Sequence, residues 1–170
     1  LAALKSIGIQ KNVMLTGDTK EVADIVAREV GLDYAYAQLL PQDKVDKLEE
    51  ILAEKNTLAY VGDGINDAPV LARADVGIAM GGIGSDAAIE AADVVIMDDN
   101  LDNMVRGIKV AKRTMSIAKQ NIVFAIGVKV IFLLLAAIGF GTMWEAVFAD
   151  VGVTVLCIIN AMRNLQVENI

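Results

Sequence analysis

From Ile122 to Phe140 the chain carries one charged residue, Lys129. An apolar run of about 19 residues is near the length a helix needs to cross the hydrocarbon core of a bilayer. After a short turn, Gly141 to Trp144, a second apolar run extends from Glu145 to Met162, with Glu145 at its start and Asp150 inside. Two such runs in tandem predict a transmembrane helical hairpin rather than a buried hairpin in a soluble core. Lys109, Lys112, Arg113 and Lys119 precede the first run and Arg163 follows the second, while the turn has neither Lys nor Arg. Cations gather on the cytosolic side, so both ends belong in the cytosol and the turn outside, with Trp144 at the outer interface. The expected division is a basic linker helix over 109–121, spans at 122–140 and 144–162, and a cytosolic tail at 163–170.

The part before the hairpin, residues 1–108, reads as a soluble acidic domain. The hydrophobic content of 55% and the mean hydropathy of +0.52 owe their excess to the residues after Asn121. The net charge of −7 comes with no basic stripe, which excludes nucleic acid as a partner. Cys157 is the sole cysteine, and histidine is absent. Neither a disulfide framework nor a Cys/His zinc site can be built from this chain alone. A lone cysteine in an apolar helix reads first as packing. The chain opens on Leu1 rather than Met, with no signal peptide, so a fragment is expected.

Short apolar strands alternate with helical patterns through this domain: strands at 12–15, 58–61, 76–80 and 94–97, and helices at 20–30, 41–55, 68–74, 86–92 and from 101 to about 120. Residues 34–40 read as an edge strand or an extended link. Such alternation with short loops predicts a parallel α/β sheet. The 20–30 helix gathers Val22, Ile25, Val26 and Val30 on one face and stops at Gly31. Gly81, Gly82 and Gly84 form a turn without a trustworthy dinucleotide-binding spacing, and Ser85 is placed to cap the next helix.

Three stretches carry chemistry. The first is Gly62-Asp63-Gly64-Ile65-Asn66-Asp67-Ala68-Pro69, between a strand and a short helix. A loop at the carboxyl end of a parallel strand lies over the ligand crevice of the sheet. Gly62 and Gly64 allow close approach, and Asp63 and Asp67 are hard oxygen donors suited to Mg²⁺. A bare Asp-Gly pair is an ordinary turn, whereas the whole string is not. The second is Thr16-Gly17-Asp18, where a strand meets a helix N-terminus. It reads either as a phosphate seat or as a simple N-cap by Asp18 or Thr19. The third is Lys44, in the first turn of the helix that Pro41 opens. A cation there opposes the helix dipole, so either it is a solvated surface lysine or a phosphate or carboxylate favours it.

In the hairpin, Lys129 and Asp150 are ionisable groups at costly depth, which points to function. The lysine stem is long enough for the two to meet, either as a structural ion pair or as part of an ion path. Gly152 lets another helix or a ligand come near.

Taken together, Thr16-Gly17-Asp18, Pro41-x-x-Lys44 and Gly62-Asp63-Gly64-x-Asn66-Asp67-Ala68-Pro69, in this order and spacing, resemble the P-type ATPases. The hairpin resembles the heavy-metal, zinc/cadmium/lead-type branch. The matching residues are Asn121 and Lys129 in the penultimate helix and Asp150-Val151-Gly152 in the last. The copper branch has a Tyr-Asn pair and a Met/Ser pattern instead. The resemblance covers nearly the whole chain. It implies the second half of a haloacid-dehalogenase-like (Rossmann-like) phosphorylation domain, followed by the last two membrane helices. It further implies that Asp63, with Gly62 and Gly64 beside it, holds Mg²⁺, and that Asn66 and Asp67 order the loop. Thr16, Gly17 and Asp18 would bind or flank the phosphate, and Lys44 would neutralise it. Asp150 would bind the transported Zn²⁺, Cd²⁺ or Pb²⁺, with Lys129 its countercharge.

The family's nucleophile lies in a D-K-T-G-T motif that this chain does not contain. The nucleotide-binding domain that holds most of the ATP, the actuator domain and a membrane Cys-Pro-Cys are lacking too. The expectation is therefore a carboxy-terminal part of a multi-pass pump of the plasma (inner) membrane, inactive by itself. Its partners would be the bilayer and the remaining domains and helices. A soluble phosphatase of the same fold accounts for the loops but not the hairpin, and a catalytically inactive membrane remnant would keep the loops only as fold.

Overall fold

The computed structural model describes residues 1–54, 57–62, 65–81, 86–98, 100–140 and 143–165. Asp63, Gly64, Gly82, Gly84, Ser85 and the Gly141 turn lie outside them. The chain forms two compact units, Leu1–Val105 and Arg106–Ile170.

The first unit runs α1 (Ala2–Ser6), β1 (Val13–Leu15), α2 (Lys20–Val30), β2 (Tyr34–Tyr36), α3 (Pro41–Ala53) and β3 (Ala59–Gly62). A 3-10 turn (Ile65–Asp67) then leads into α4 (Ala68–Leu71), β4 (Val76–Met80), α5 (Asp86–Ala91) and β5 (Val94–Ile96). All pairings are parallel, as the strand–helix alternation requires: a parallel neighbour is reached only through a crossover. The described strands make two sheets, β1-β2 and β3-β4-β5. Val13 stands opposite Tyr34, Gly62 opposite Ala79, and Met80 opposite Ile96.

Register at the amino edge has a repeated device. Asp33, Asp75 and Asp93 each stand immediately before a strand. Their carboxylates accept hydrogen bonds from the backbone N–H groups of Asn12, Leu58 and Gly77, in or just before the neighbouring strand, at 2.8–2.9 Å. Asp33 also takes the ammonium of Lys5 at 2.6 Å, and with the Asn12 bond this holds its carboxyl below the usual carboxylate range. Such bonds satisfy strand-end donors that the ladder leaves over.

The core around β4 includes a cluster with two alanines. Leu71, Ala79 and Ala88 are buried together, with Tyr60, Ala91, Ala92 and Val95 against them. Small side chains let helices lie close on the sheet, and Gly77 is the tightest case. A Cβ there would stand 2.5 Å from the carbonyl oxygen of Leu71. Gly77→Ala is expected to lower the stability of this unit by about 1–3 kcal/mol, the usual cost of overpacking. The measurement is the thermal midpoint; an unchanged value would mean that α4 lifts off β4 freely.

Elsewhere α3 buries Leu48 completely, while α2 differs from its helical-wheel reading. Its buried residue is Ala23, and Val22, Ile25 and Val30 are about half exposed. The apolar stripe of α2 has little of the described chain to pack on. Gly31 ends α2 in the left-handed region, φ +77°, a conformation glycine takes without the Cβ penalty.

In the second unit, α6 (Leu101–Ala137, beginning in the first unit) is one helix, joining the expected 101–120 helix to the first apolar run. Nothing between them breaks a helix. It stops at Ala137, with Gly139 at φ +86° just beyond, so the turn starts earlier than the sequence suggested. α7 (Met143–Met162) follows, then a 3-10 turn, Arg163–Leu165. Asn164 donates to Thr114, Asn121 to the Cys157 carbonyl, and Lys129 to Asp150. Partners that climb along one helix as they descend along the other make α6 and α7 antiparallel in this unit. Among the described residues one helix, α6, is long and apolar enough to cross a membrane.

Candidate functional site

The site of the first unit forms where β3 ends. Side chains alternate between the two faces of a strand, so Tyr60 and Gly62 share one face. At Gly62 a Cβ would lie 2.9 Å from the Cβ of Asp67 and 3.1 Å from both Asp67 Oδ2 and Tyr60 Cε1. The glycine therefore makes the space in which the 3-10 turn folds Asp67 back onto the strand. Asp67 is buried, 9% exposed. Its Oδ1 accepts two hydrogen bonds, from Lys44 Nζ at 2.8 Å and from Tyr60 Oη at 3.0 Å.

Lys44 is thereby explained. Its side chain is only 17% exposed, so it is not a solvated surface lysine. A carboxylate delivered from another loop offsets the unfavourable end of the helix dipole. The helix start is further held by Asp43, whose Oδ2 accepts the Leu40 N–H at 2.9 Å.

The Thr16-Gly17-Asp18 turn leaves β1 at the carboxyl end of its strand. Thr16 Oγ1 donates to Asp18 Oδ2 at 2.9 Å and accepts the Asp18 N–H at 3.1 Å. The backbone continues the link: Gln38 N–H donates to the Asp18 carbonyl and Leu39 N–H to the Thr16 carbonyl. Gly17 lies close enough to the Leu39 carbonyl that a Cβ would be 3.3 Å from it. Thr19 takes the N-cap position of α2, as the alternative reading has it, but makes no side-chain capping hydrogen bond. Asn66 is exposed on the 3-10 turn. Of the residues singled out from sequence, Lys44 and Asp67 are in direct contact. Thr16 and Asp18 form a second, local group, and Asp63 and Gly64 lie outside the described residues.

Asp67 Oδ2 accepts no hydrogen bond from the described residues, and it is a hard oxygen of the kind Mg²⁺ takes. Among the described residues no three His, Cys, Asp or Glu converge. Tyr60 was missed by the motif reading. The signal for it was its position two residues before Gly62, on the same strand face.

In the second unit, Lys129 Nζ stands 3.4 Å from Asp150 Oδ1. A second polar group ties the helices nearer the end of α7. Asn160 Nδ2 donates to Asn121 Oδ1 at 2.8 Å, Asn121 Nδ2 to the Cys157 carbonyl at 3.0 Å, and Arg163 to Asn160 Oδ1 at 3.0 Å. Cys157 Sγ lies 3.8 Å from the Asn121 carbonyl, in weak hydrogen-bond contact between the helices.

A family model described as haloacid dehalogenase-like hydrolase matches residues 1–75. The chain is 55% identical over 172 residues to a cadmium, zinc and cobalt-transporting ATPase of Bacillus subtilis (strain 168), covering 99% of this chain and 24% of the relative. It is 59% identical over 162 residues to a zinc-transporting ATPase of Synechocystis sp. (strain ATCC 27184 / PCC 6803 / Kazusa), covering 94% and 22%. The solved structure of a zinc-transporting PIB-type ATPase in its E2.Pi state superposes with a TM-score of 0.91 at 44% identity, over 97% of this chain and 27% of that one. The chain thus spans about a quarter of the length of the relatives it matches. Over nearly all of its own length, it is similar in sequence and in fold to part of zinc- and cadmium-transporting ATPases.

Proposed function

We propose that this chain is the carboxy-terminal part of an ATP-driven exporter of Zn²⁺, Cd²⁺ or Pb²⁺, working through an aspartyl-phosphate whose aspartate lies upstream. One observation carries the reading. A part-buried lysine–aspartate pair at the strand ends of a parallel α/β unit and a second lysine–aspartate pair between two apolar helices occur on one chain. The first suits phosphoryl chemistry, and the second suits a cation path through a bilayer.

In this reading α6 and α7 span the plasma (inner) membrane, with the α/β unit in the cytosol. Lys44 neutralises the transferred phosphoryl group, and the Thr16-Gly17-Asp18 turn seats its oxygens. Asn66 and Asp67 shape the loop that presents Asp63. Asp63 would hold Mg²⁺, which would supply charge neutralisation for the phosphate. Positioning and charge stabilisation are most of what such a transfer needs. In the described residues β1 pairs with β2 and β3 with β4. Each of β1 and β3 thus has an edge at which a strand from the remaining polypeptide could add, joining the two sheets. The half-exposed stripe of α2 fits the same view. The nucleotide-binding and actuator domains belong to the remainder, so the isolated segment is expected to be inactive. Asp150 binds the transported ion and Lys129 competes for Asp150 to release it.

The test of metal class uses the intact pump. Zn²⁺ and Cd²⁺ should stimulate ATP hydrolysis and monovalent copper should not; stimulation by copper alone would overturn the assignment.

A further inference from the structure

We propose that Tyr60 is a positioning residue that lets Lys44 leave Asp67 for the phosphoryl group. The inference rests on the reading of Lys44 given above. Two donors share one oxygen of Asp67: the Lys44 ammonium at 2.8 Å and the Tyr60 hydroxyl at 3.0 Å. The side chains of Lys44 and Asp67 are 17% and 12% exposed, so water is a poor substitute for either partner. When the ammonium turns to a phosphate oxygen, or divides its three N–H donors between phosphate and carboxylate, Asp67 loses hold of part of its countercharge. A buried acceptor left without a donor is costly.

Tyr60 removes that difficulty. Its hydroxyl keeps donating to Oδ1 while Lys44 is engaged elsewhere. In the resting site it also draws charge from the carboxylate, which weakens the grip of Asp67 on the ammonium. The arrangement depends on the strand. Tyr60 reaches Asp67 across Gly62, and its ring is anchored in the cluster of Leu71, Ala79 and Ala88. The hydroxyl is thus fixed from below while Lys44 reaches over from α3. A rigid donor and a flexible one on the same oxygen is what an exchange of partners requires.

The test is Tyr60→Phe in the intact pump, which keeps the ring and removes the hydroxyl. The probe is orthovanadate with Mg²⁺, read as the concentration giving half-maximal protection from limited proteolysis. Tyr60→Phe is expected to raise that concentration about tenfold, the scale of one unsatisfied buried acceptor, with the thermal midpoint unchanged. In a Lys44→Ala background the same change is expected to have no effect, because Tyr60 acts only through the release of Lys44. Wild-type vanadate affinity in Tyr60→Phe would overturn the inference. So would an equal loss in both backgrounds, or a loss matched by a fall in the thermal midpoint, since either means a structural role. If Lys44→Ala alone leaves vanadate affinity unchanged, the reading of Lys44 itself falls, and this proposal with it.

Discussion

Asp150→Ala in the intact pump is expected to lower metal-stimulated ATP hydrolysis by about 100-fold or more. Even groups that merely support a metal ligand are worth about 10- to 100-fold, and Asp150 is proposed as a ligand. Its place in α7 opposite Lys129 supports that role: ionisable groups in an apolar hairpin are costly to keep without a purpose. The change also leaves the lysine charge without its carboxylate, which by itself can impair insertion. Lys129→Ala/Asp150→Ala separates the two effects. The double variant should recover its level in the membrane while zinc stimulation stays absent. Stimulation by zinc equal to wild type in Asp150→Ala would remove Asp150 from the transport path.

Lys44→Ala is expected to slow formation of the phosphoenzyme from ATP by about 10²–10³-fold, the usual loss when one preorganised charge-stabilising donor is removed. The ammonium is 17% exposed and paired with Asp67, so its removal takes a preformed, poorly solvated positive charge from the site. Removal also leaves Asp67 with Tyr60 as its one donor among the described residues, so a lower thermal midpoint should accompany the loss of rate. Lys44→Arg keeps the charge but replaces a compact ammonium with a planar fork. It should hold the midpoint near wild type and give an intermediate rate. A wild-type rate of phosphoenzyme formation in Lys44→Ala would exclude the lysine from the phosphoryl site.

Strand β4 appears in the structure with the bounds read from its sequence, and α2 does too, because β-branched alternation and a glycine stop are local signals. Lys44 and Asp67, each singled out from its own motif, meet in the structure. The three aspartates that stand before β2, β4 and β5 were not. Each looks like an ordinary loop residue until a neighbouring strand supplies the N–H it accepts.

By itself, the sequence determined that a parallel α/β unit precedes an apolar helical pair, and offered either solvation or an anion to account for Lys44. Helix and strand periods, chain length and the sign of a charge near a helix end are properties of a few neighbouring residues. Only the tertiary structure decided which anion: Asp67, 23 positions along the chain, brought back by a 3-10 turn over Gly62. It alone placed the Tyr60 hydroxyl on the same oxygen, whereas the pairing of Lys129 with Asp150 across the hairpin follows the expectation from sequence. The contacts of Asp67 depend on how the backbone returns on itself, which no local pattern encodes.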